Sequence, residues 1–352
     1  MRIKSLARRL GVRAIAGLPR RTLEKLVPRE AIALFYHSIA EKPLPHVRHL
    51  YPHKSPSEFE ADVIYLKQNY RLPTFSEFVD EMSSPQRPQQ PCAILTFDDG
   101  MSQCFDLVRP ILLKHRVPCS FFVTKCFIDN RELFYRHKVS LCIDAMSAKS
   151  AEEQASCSRT LAQRLGLELS SPGDLEKWIK SLKLADESML DAAGEELGID
   201  FEDFLRTVKP YMTSDQVRQL HADGFTIGSH SVRHARFSEL TNAQIESDIV
   251  ESCSFVGSLL GLKKVPFAFP FSAEGVDRQF LRSVAQRHPW VTPMFGTDGL
   301  NIDDLYLVNR LPADTPAGVP QGRSGLKKYV ARAYANQFLG SGYTSKQAAI
   351  QG

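Results

Sequence analysis

Residues 92–100 read CAILTFDDG, an apolar run that ends on two adjacent carboxylates, Asp98 and Asp99, followed by Gly100. A short apolar run without polar alternation is a strand covered on both faces. Two neighbouring carboxylates at its end are costly unless they are paired, solvated or bound to a cation. Within a continuing strand they would point to opposite faces. A glycine directly after them lets the backbone turn sharply and brings both to the mouth of the sheet, where α/β proteins bind ligands. Read alone, the same trio is equally an ordinary turn whose aspartates cap the next helix.

Working outward, residues 31–36 (AIALFY) form a second buried run, ending at His37. Residues 40–57 are a Pro- and His-containing loop, and Ser57 heads a helix with Phe59, Val63 and Leu66 on one face. Past Gly100 a helical pattern runs to Leu113, followed by CSFFVT at 119–124 as a strand. Strand–helix–strand alternation predicts an α/β architecture with a largely parallel sheet. Residues from about Asn130 to Pro210 break the alternation with mostly helical patterning, which predicts a helical insertion between two strands. The alternation resumes with a helix at 213–223 capped by Thr213 or Ser214, a strand at 225–229, a helix at 242–260, and strands at 265–271 and 305–310. The expected organisation is a basic amphipathic segment over 1–30, a catalytic domain over 31–335 with its insertion at about 130–210, and a flexible tail over 336–352.

A second group of chemically loaded residues, His230 and His234 in HSVRH, follows the strand GFTIGS. Two histidines four residues apart can meet on one helical turn and bind one metal. Both groups lie at carboxyl ends of predicted strands, so a parallel sheet or barrel brings them to one face. One carboxylate with two imidazoles leaves coordination positions open for water and substrate, as in catalytic metal sites, and the other carboxylate stays free as a base.

LTFDDG, VPCSFFV, GFTIGSHSVRH and AFPF, in that order, resemble the polysaccharide deacetylases, and FYHS at 35–38 resembles the first strand of members acting on exopolysaccharide. The resemblance covers most of residues 31–315 apart from the insertion. It implies a distorted (β/α) barrel with fewer than eight strands and a metal-dependent hydrolase that removes an N-acetyl group from a saccharide. Asp99, His230 and His234 would then be the metal ligands and Asp98 the general base. A backbone N–H at Phe271, after Pro270, would stabilise the oxyanion, and Ser231 and Thr96 would support the two loops. Zn²⁺ suits such a site, and Co²⁺, Ni²⁺ or Mn²⁺ would be accommodated.

Two departures from the family pattern stand out. The arginine usual two residues before the motif proline is Ala268 here, and Arg310 in VNRLP is the expected substitute to orient Asp98. The late histidine that serves as general acid is missing, since His288 in QRHPW is the only histidine after His234 and its surroundings do not match. A leaving amine must be protonated, so His37 is the expected acid.

With 352 residues, 43% of them hydrophobic, the chain can bury a large core, and a net charge of only +4 gives no support for nucleic-acid binding. The basic start, from Arg2 to Lys25, reads either as a helix packed on the body or as a peripheral contact with an anionic membrane. Seven scattered cysteines read as reduced core residues, and no signal peptide or spanning segment is evident, which points to the cytoplasm, at or away from the inner membrane face. The expected partner is an acetylated saccharide in surface polysaccharide or glycolipid metabolism. A hydrolase of another C–N bond, such as a cyclic amide or formamide, and a non-catalytic metal- or glycan-binding module are the alternatives. The oligomeric state is not legible.

Overall fold

The computed structural model describes residues 11–26, 31–84, 91–169, 171–300, 302–303, 306–314 and 325–339. Its centre is a parallel sheet whose strands are β1 (Ala31–Tyr36), β2 (Cys92–Phe97), β3 (Ser120–Val123), β4 (Thr226–Ser229), β5 (Phe267–Ala268), β6 (Met294–Gly296), β7 (Ile302–Asp303), β8 (Leu307–Asn309) and β9 (Leu311–Pro312). The hydrogen-bonded order is β7-β8-β6-β5-β4-β3-β2-β1-β9, parallel throughout except for β7, which is antiparallel to β8. β8 pairs with β6 while β9 pairs with β1, and only Arg310 separates β8 from β9. Residues 307–312 are therefore one strand, broken at Arg310, that leaves one end of the sheet and joins the other. Counted this way, seven parallel strands among the described residues surround the axis, fewer than eight, in a distorted (β/α) barrel.

Every residue of β1 and β2 is buried, because one face meets the barrel interior and the other the helices outside. Tyr36, Phe59 and Phe97 pack edge-to-face and stacked, with ring centroids 5.2–5.4 Å apart, and tie the helix Pro56–Asn69 to the first two strands. That helix is capped by Ser55 through a box with Glu58, two residues before the expected cap at Ser57. Thr213 caps the helix Ser214–Ala222, and Asn242–Leu260 forms a helix with the expected bounds. Between Gly100 and Leu113 the chain passes through a π-turn, Cys104–Val108, before the α-helix Arg109–His115.

The β3–β4 connection holds helices Tyr135–Ser147, Ala151–Leu165, Pro172–Ser181, Glu187–Leu197 and Phe201–Val208. Their buried faces, Leu161, Leu175, Ile179, Leu190 and Ala193 among them, are continuous with the core of the barrel, so the inserted helices share that core. Six of the seven cysteines are buried, and all are free thiols.

The first ten residues of the basic segment and the tail beyond Leu339 lie outside the described residues. Of the segment that is described, Leu23 on the helix Arg20–Leu26 is buried, and this helix packs against the helix Leu326–Phe338. No described helix is long and apolar enough to cross a membrane.

Candidate active site

The carboxyl ends of the strands open into a cleft of about 370 Å³. His37 follows β1, Asp98 and Asp99 follow β2, His230 follows β4, and Phe271 follows β5 by three residues; all five line the cleft. Arg310 stands at the break between β8 and β9, beneath the cleft, and Asp314 lies just past β9. Pro270 precedes Phe271 in the same loop and does not line the cleft.

The loops that carry these side chains are strained in one common way. Asp99, Ser231, His234 and Phe271 have φ of 70°, 73°, 57° and 57°, a left-handed region that non-glycine residues enter at a cost of about 1–3 kcal/mol each. Gly100, with φ 79°, completes the turn that separates the two aspartates. His230 and His234 do not lie on a helix, contrary to the helical-turn expectation. Left-handed Ser231 and His234 fold the segment into a tight non-helical turn, closed by the Ser231 hydroxyl, which accepts from His234 N–H at 2.8 Å. The two rings still meet, with centroids 4.8 Å apart.

Asp98 and Asp99 have different partners. Asp98 Oδ1 and Oδ2 accept from Arg310 Nη1 and Nη2 at 2.7 and 2.9 Å, a bidentate pair with the guanidinium fully buried. Thr96 Oγ1 accepts from the same Nη1 at 2.9 Å and donates to the carbonyl of Leu34. Phe35, Phe122 and Phe295 surround the guanidinium, with centroids 4.8–5.7 Å from Cζ. Burial would raise the Asp98 carboxyl, but the Arg310 charge overrides it and holds Asp98 below its ordinary value.

Asp99 faces the histidines. Its buried Oδ1 has no hydrogen-bond donor and lies 3.5 Å from His230 Nε2 and 3.2 Å from His234 Nε2. His230 Nδ1 donates to the carbonyl of Ala268 at 2.8 Å, which leaves the Nε2 lone pair directed toward the carboxylate. Burial keeps His230 neutral, lowering it to about 4, while against its own burial Asp99 is held ionised by His234 and the other nearby imidazoles. A neutral imidazole lone pair facing an acceptor-only carboxylate is unfavourable unless a cation lies between them. Two ligands about 2.1 Å from a tetrahedral metal stand about 3.4 Å apart, close to the spacing found here. Asp99, His230 and His234 each offer a ligand atom, all buried and within 4.8 Å of one another, so the donor set fits a divalent metal.

At the end of β1, next to β2, His37 Nδ1 donates to Asp314 Oδ2 at 2.6 Å, and the backbone N–H of His37 donates to Asp314 Oδ1 at 3.1 Å. Asp314 is fully buried, and the His37 ring stacks on Tyr51 with centroids 4.6 Å apart. Burial works against charge on His37, but the Asp314 carboxylate outweighs it and raises His37 to about 9. Asp314 and Tyr51 went unrecognised in the sequence. An acid placed just beyond the last strand was the available signal for Asp314, and it is a weak one. The N–H of Phe271 has no acceptor among the described residues, its carbonyl accepts from Thr297 Oγ1 at 2.9 Å, and its ring stands 4.7 Å from that of His234. The inserted helices contribute Phe134, whose ring lies 4.4 Å from His234, and Tyr135, which is buried beside it.

A family model described as polysaccharide deacetylase matches residues 188–288, the stretch that holds both histidines. This match covers less than a third of the chain and is a likeness to that family over the stretch it spans. Among solved structures the chain is similar to the deacetylase PplD of Streptococcus pyogenes in complex with acetate, with TM-score 0.54, 13% identity and coverage of 87% of this chain and 99% of the other. It is also similar to BC0361, a polysaccharide deacetylase from Bacillus cereus, with TM-score 0.50, 15% identity and coverage of 86% and 68%. No curated protein matches this chain significantly by sequence. At such identities the structural likeness establishes the fold, and the roles of individual residues rest on the geometry above.

Proposed function

We propose that the protein is a deacetylase that uses a divalent metal to remove the N-acetyl group of a saccharide in surface polysaccharide or glycolipid metabolism. The observation that carries the reading is the meeting, in one cleft, of a buried carboxylate–guanidinium pair, a His–Asp pair and a three-residue donor set. Asp99, His230 and His234 would hold the metal, with Zn²⁺ the best match to the donors and Co²⁺, Ni²⁺ or Mn²⁺ accommodated. A cation there supplies a Lewis acid for the amide carbonyl and a lowered pKa for the attacking water.

The chain's own residues do the rest. Asp98, fixed by Arg310 with both oxygens oriented, accepts the proton of the attacking water. As the carbonyl carbon becomes tetrahedral, the free N–H of Phe271 can donate to the developing oxyanion. Cleavage of the C–N bond then leaves an amine that needs a proton. His37, kept protonated by Asp314 near neutral pH, is the donor, at the end of β1 beside the strand that carries Asp98.

Acetate release from a panel of N-acetylated saccharides tests this reading, with metal-loaded protein, chelated protein and Asp98→Asn compared. Metal-dependent release that Asp98→Asn nearly abolishes, with metal still bound, supports it. Release indifferent to both the chelator and the substitution would refute the mechanism.

A further inference from the structure

Two guanidinium groups on the cleft wall have no part in the deacetylation chemistry. Arg136 comes from the first turn of the inserted helix Tyr135–Ser147, and Arg236 lies two residues past His234; both line the cleft. Among the described residues neither is paired with a carboxylate. The Nε of Arg136 is buried without an acceptor, and its Nη1 reaches only the carbonyl of Lys180, at 3.4 Å. Arg236 is placed over the ring of Phe271, its Cζ 4.0 Å from the centroid, and its charge acts on the neighbouring Tyr135. The neighbouring Arg233 is different, since Glu132 and Glu187 both neutralise it.

The charges in the cleft do not balance at this wall. Arg310 compensates Asp98, and Asp99 belongs to the histidines. Glu274, exposed in the loop after β5, is the remaining carboxylate of the lining against Arg136 and Arg236. Burial, and with it the charge of Arg236, holds Arg136 below the usual guanidinium range, so the two cations are close enough to repel. Partly desolvated, unpaired cations of this kind are unfavourable until an anion reaches them. Arg236 contacts Phe271, which also contacts His234, so such an anion would lie close to the reacting amide.

We propose that the cleft takes an anionic saccharide, with a phosphate ester on the N-acetylated sugar or on its neighbour held between Arg136 and Arg236. Two guanidinium groups match the double charge and several acceptor oxygens of a phosphate better than the single charge of a uronate. The inserted helices acquire a role through Arg136, as the part of the chain that reads the substrate's charge. This rests on the deacetylase reading and narrows its substrate class.

The test compares kcat/KM for N-acetylglucosamine 1-phosphate, an N-acetylated disaccharide carrying a uronate, and methyl N-acetylglucosaminide, using metal-loaded protein at low and high salt. The phosphate is expected to be favoured over the neutral glycoside by about 10–100-fold at low salt, the range set by one or two charge-assisted hydrogen bonds. Arg136→Gln and Arg236→Gln should each bring that ratio toward one. Binding of glucose 1-phosphate against methyl glucoside, by calorimetry with and without chelator, provides a readout that needs no catalysis and separates a phosphate held by the metal. Selective phosphate binding that survives chelation and weakens in both variants supports the site even if no acetate is released, in which case the deacetylase reading fails alone. Equal affinity for the two glucosides, affinity unchanged in the variants, or preference for the uronate would overturn the proposal.

Discussion

Arg310 reaches Asp98 across 212 residues of sequence and grips both carboxylate oxygens, at 2.7 and 2.9 Å. The pair is possible because the closing strand breaks at that residue, which lets the guanidinium lie under the end of β2. This contact fits the orienting role proposed for Arg310, which the side chain of Ala268 could not fill. Ala268 contributes only its backbone carbonyl, which accepts from His230 Nδ1 at 2.8 Å.

Arg310→Lys keeps the charge and loses the fork, so Asp98 is no longer held by both oxygens. We expect kcat/KM for deacetylation to fall by about 100-fold, the scale at which misplacing a reacting group is felt. Arg310→Ala leaves Asp98 buried without its counter-charge and should cost about 3–5 kcal/mol of stability. Steady-state kinetics and urea unfolding check the two parts. Full activity in Arg310→Lys would show that the orientation of Asp98 is not limiting.

If His37 is the proton donor, as proposed, His37→Ala should lower kcat/KM by about 100–10,000-fold. In the wild type the acid is protonated below about 9, so the rate should decline as pH rises through that value. Asp314→Asn removes the main charge that raises His37, so this alkaline limb should move down toward the ordinary histidine value of about 6.5. Stability follows the same sign. Because the folded pKa lies above the unfolded one, the His37–Asp314 contribution is fully present below about 6.5 and is lost as pH rises through about 9. A pH–rate profile whose alkaline limb is identical in Asp314→Asn would exclude His37 as the acid.

Much of this arrangement was legible in the chain. Apolar runs ending in Asp98-Asp99-Gly100 and near His230 declare buried strands that deliver polar groups to one mouth, and the helix Asn242–Leu260 announces both its ends. β5 and β8 fall inside the strands expected at 265–271 and 305–310, whereas β6, β7 and β9 were not legible, having two or three residues each, too few for any periodicity. The HxxxH spacing suggested a helix because spacing carries no φ, whereas two left-handed residues actually make the turn. Asp314 carried only a weak signal because its value depends on β9 pairing with β1, a contact between opposite ends of the domain.

Metal should bind at about one ion per chain. Asp99→Asn and His234→Ala should each lose it, whereas Asp98→Asn should retain it, since Asp98 is committed to Arg310. Elemental analysis after dialysis distinguishes the three. The loaded wild type should also unfold later. Free metal at 1,000 times its Kd stabilises by about 4 kcal/mol, and a chelator should remove that increment. Stoichiometric metal in Asp99→Asn would mean that the ligand set has been misassigned.

The last prediction concerns the scaffold. Gly228 lies in β4 two residues before His230, and a Cβ built on it would stand 2.5 Å from the ring of Phe122 and 2.7 Å from the carbonyl of Pro266. The ring borders the Arg310 guanidinium and the carbonyl accepts from Ser229 N–H at 2.8 Å, so neither can retreat without disturbing the site. Gly228→Ala should therefore destabilise the barrel by about 1–3 kcal/mol, the usual cost of overpacking a filled core. It should lower activity more than its loss of stability explains, because the displaced groups border Arg310 and the loop that carries His230. Thermal unfolding and kcat/KM measured well below the melting temperature separate these effects. Reduced stability with unchanged kcat/KM would mean that the strain is absorbed before it reaches the cleft.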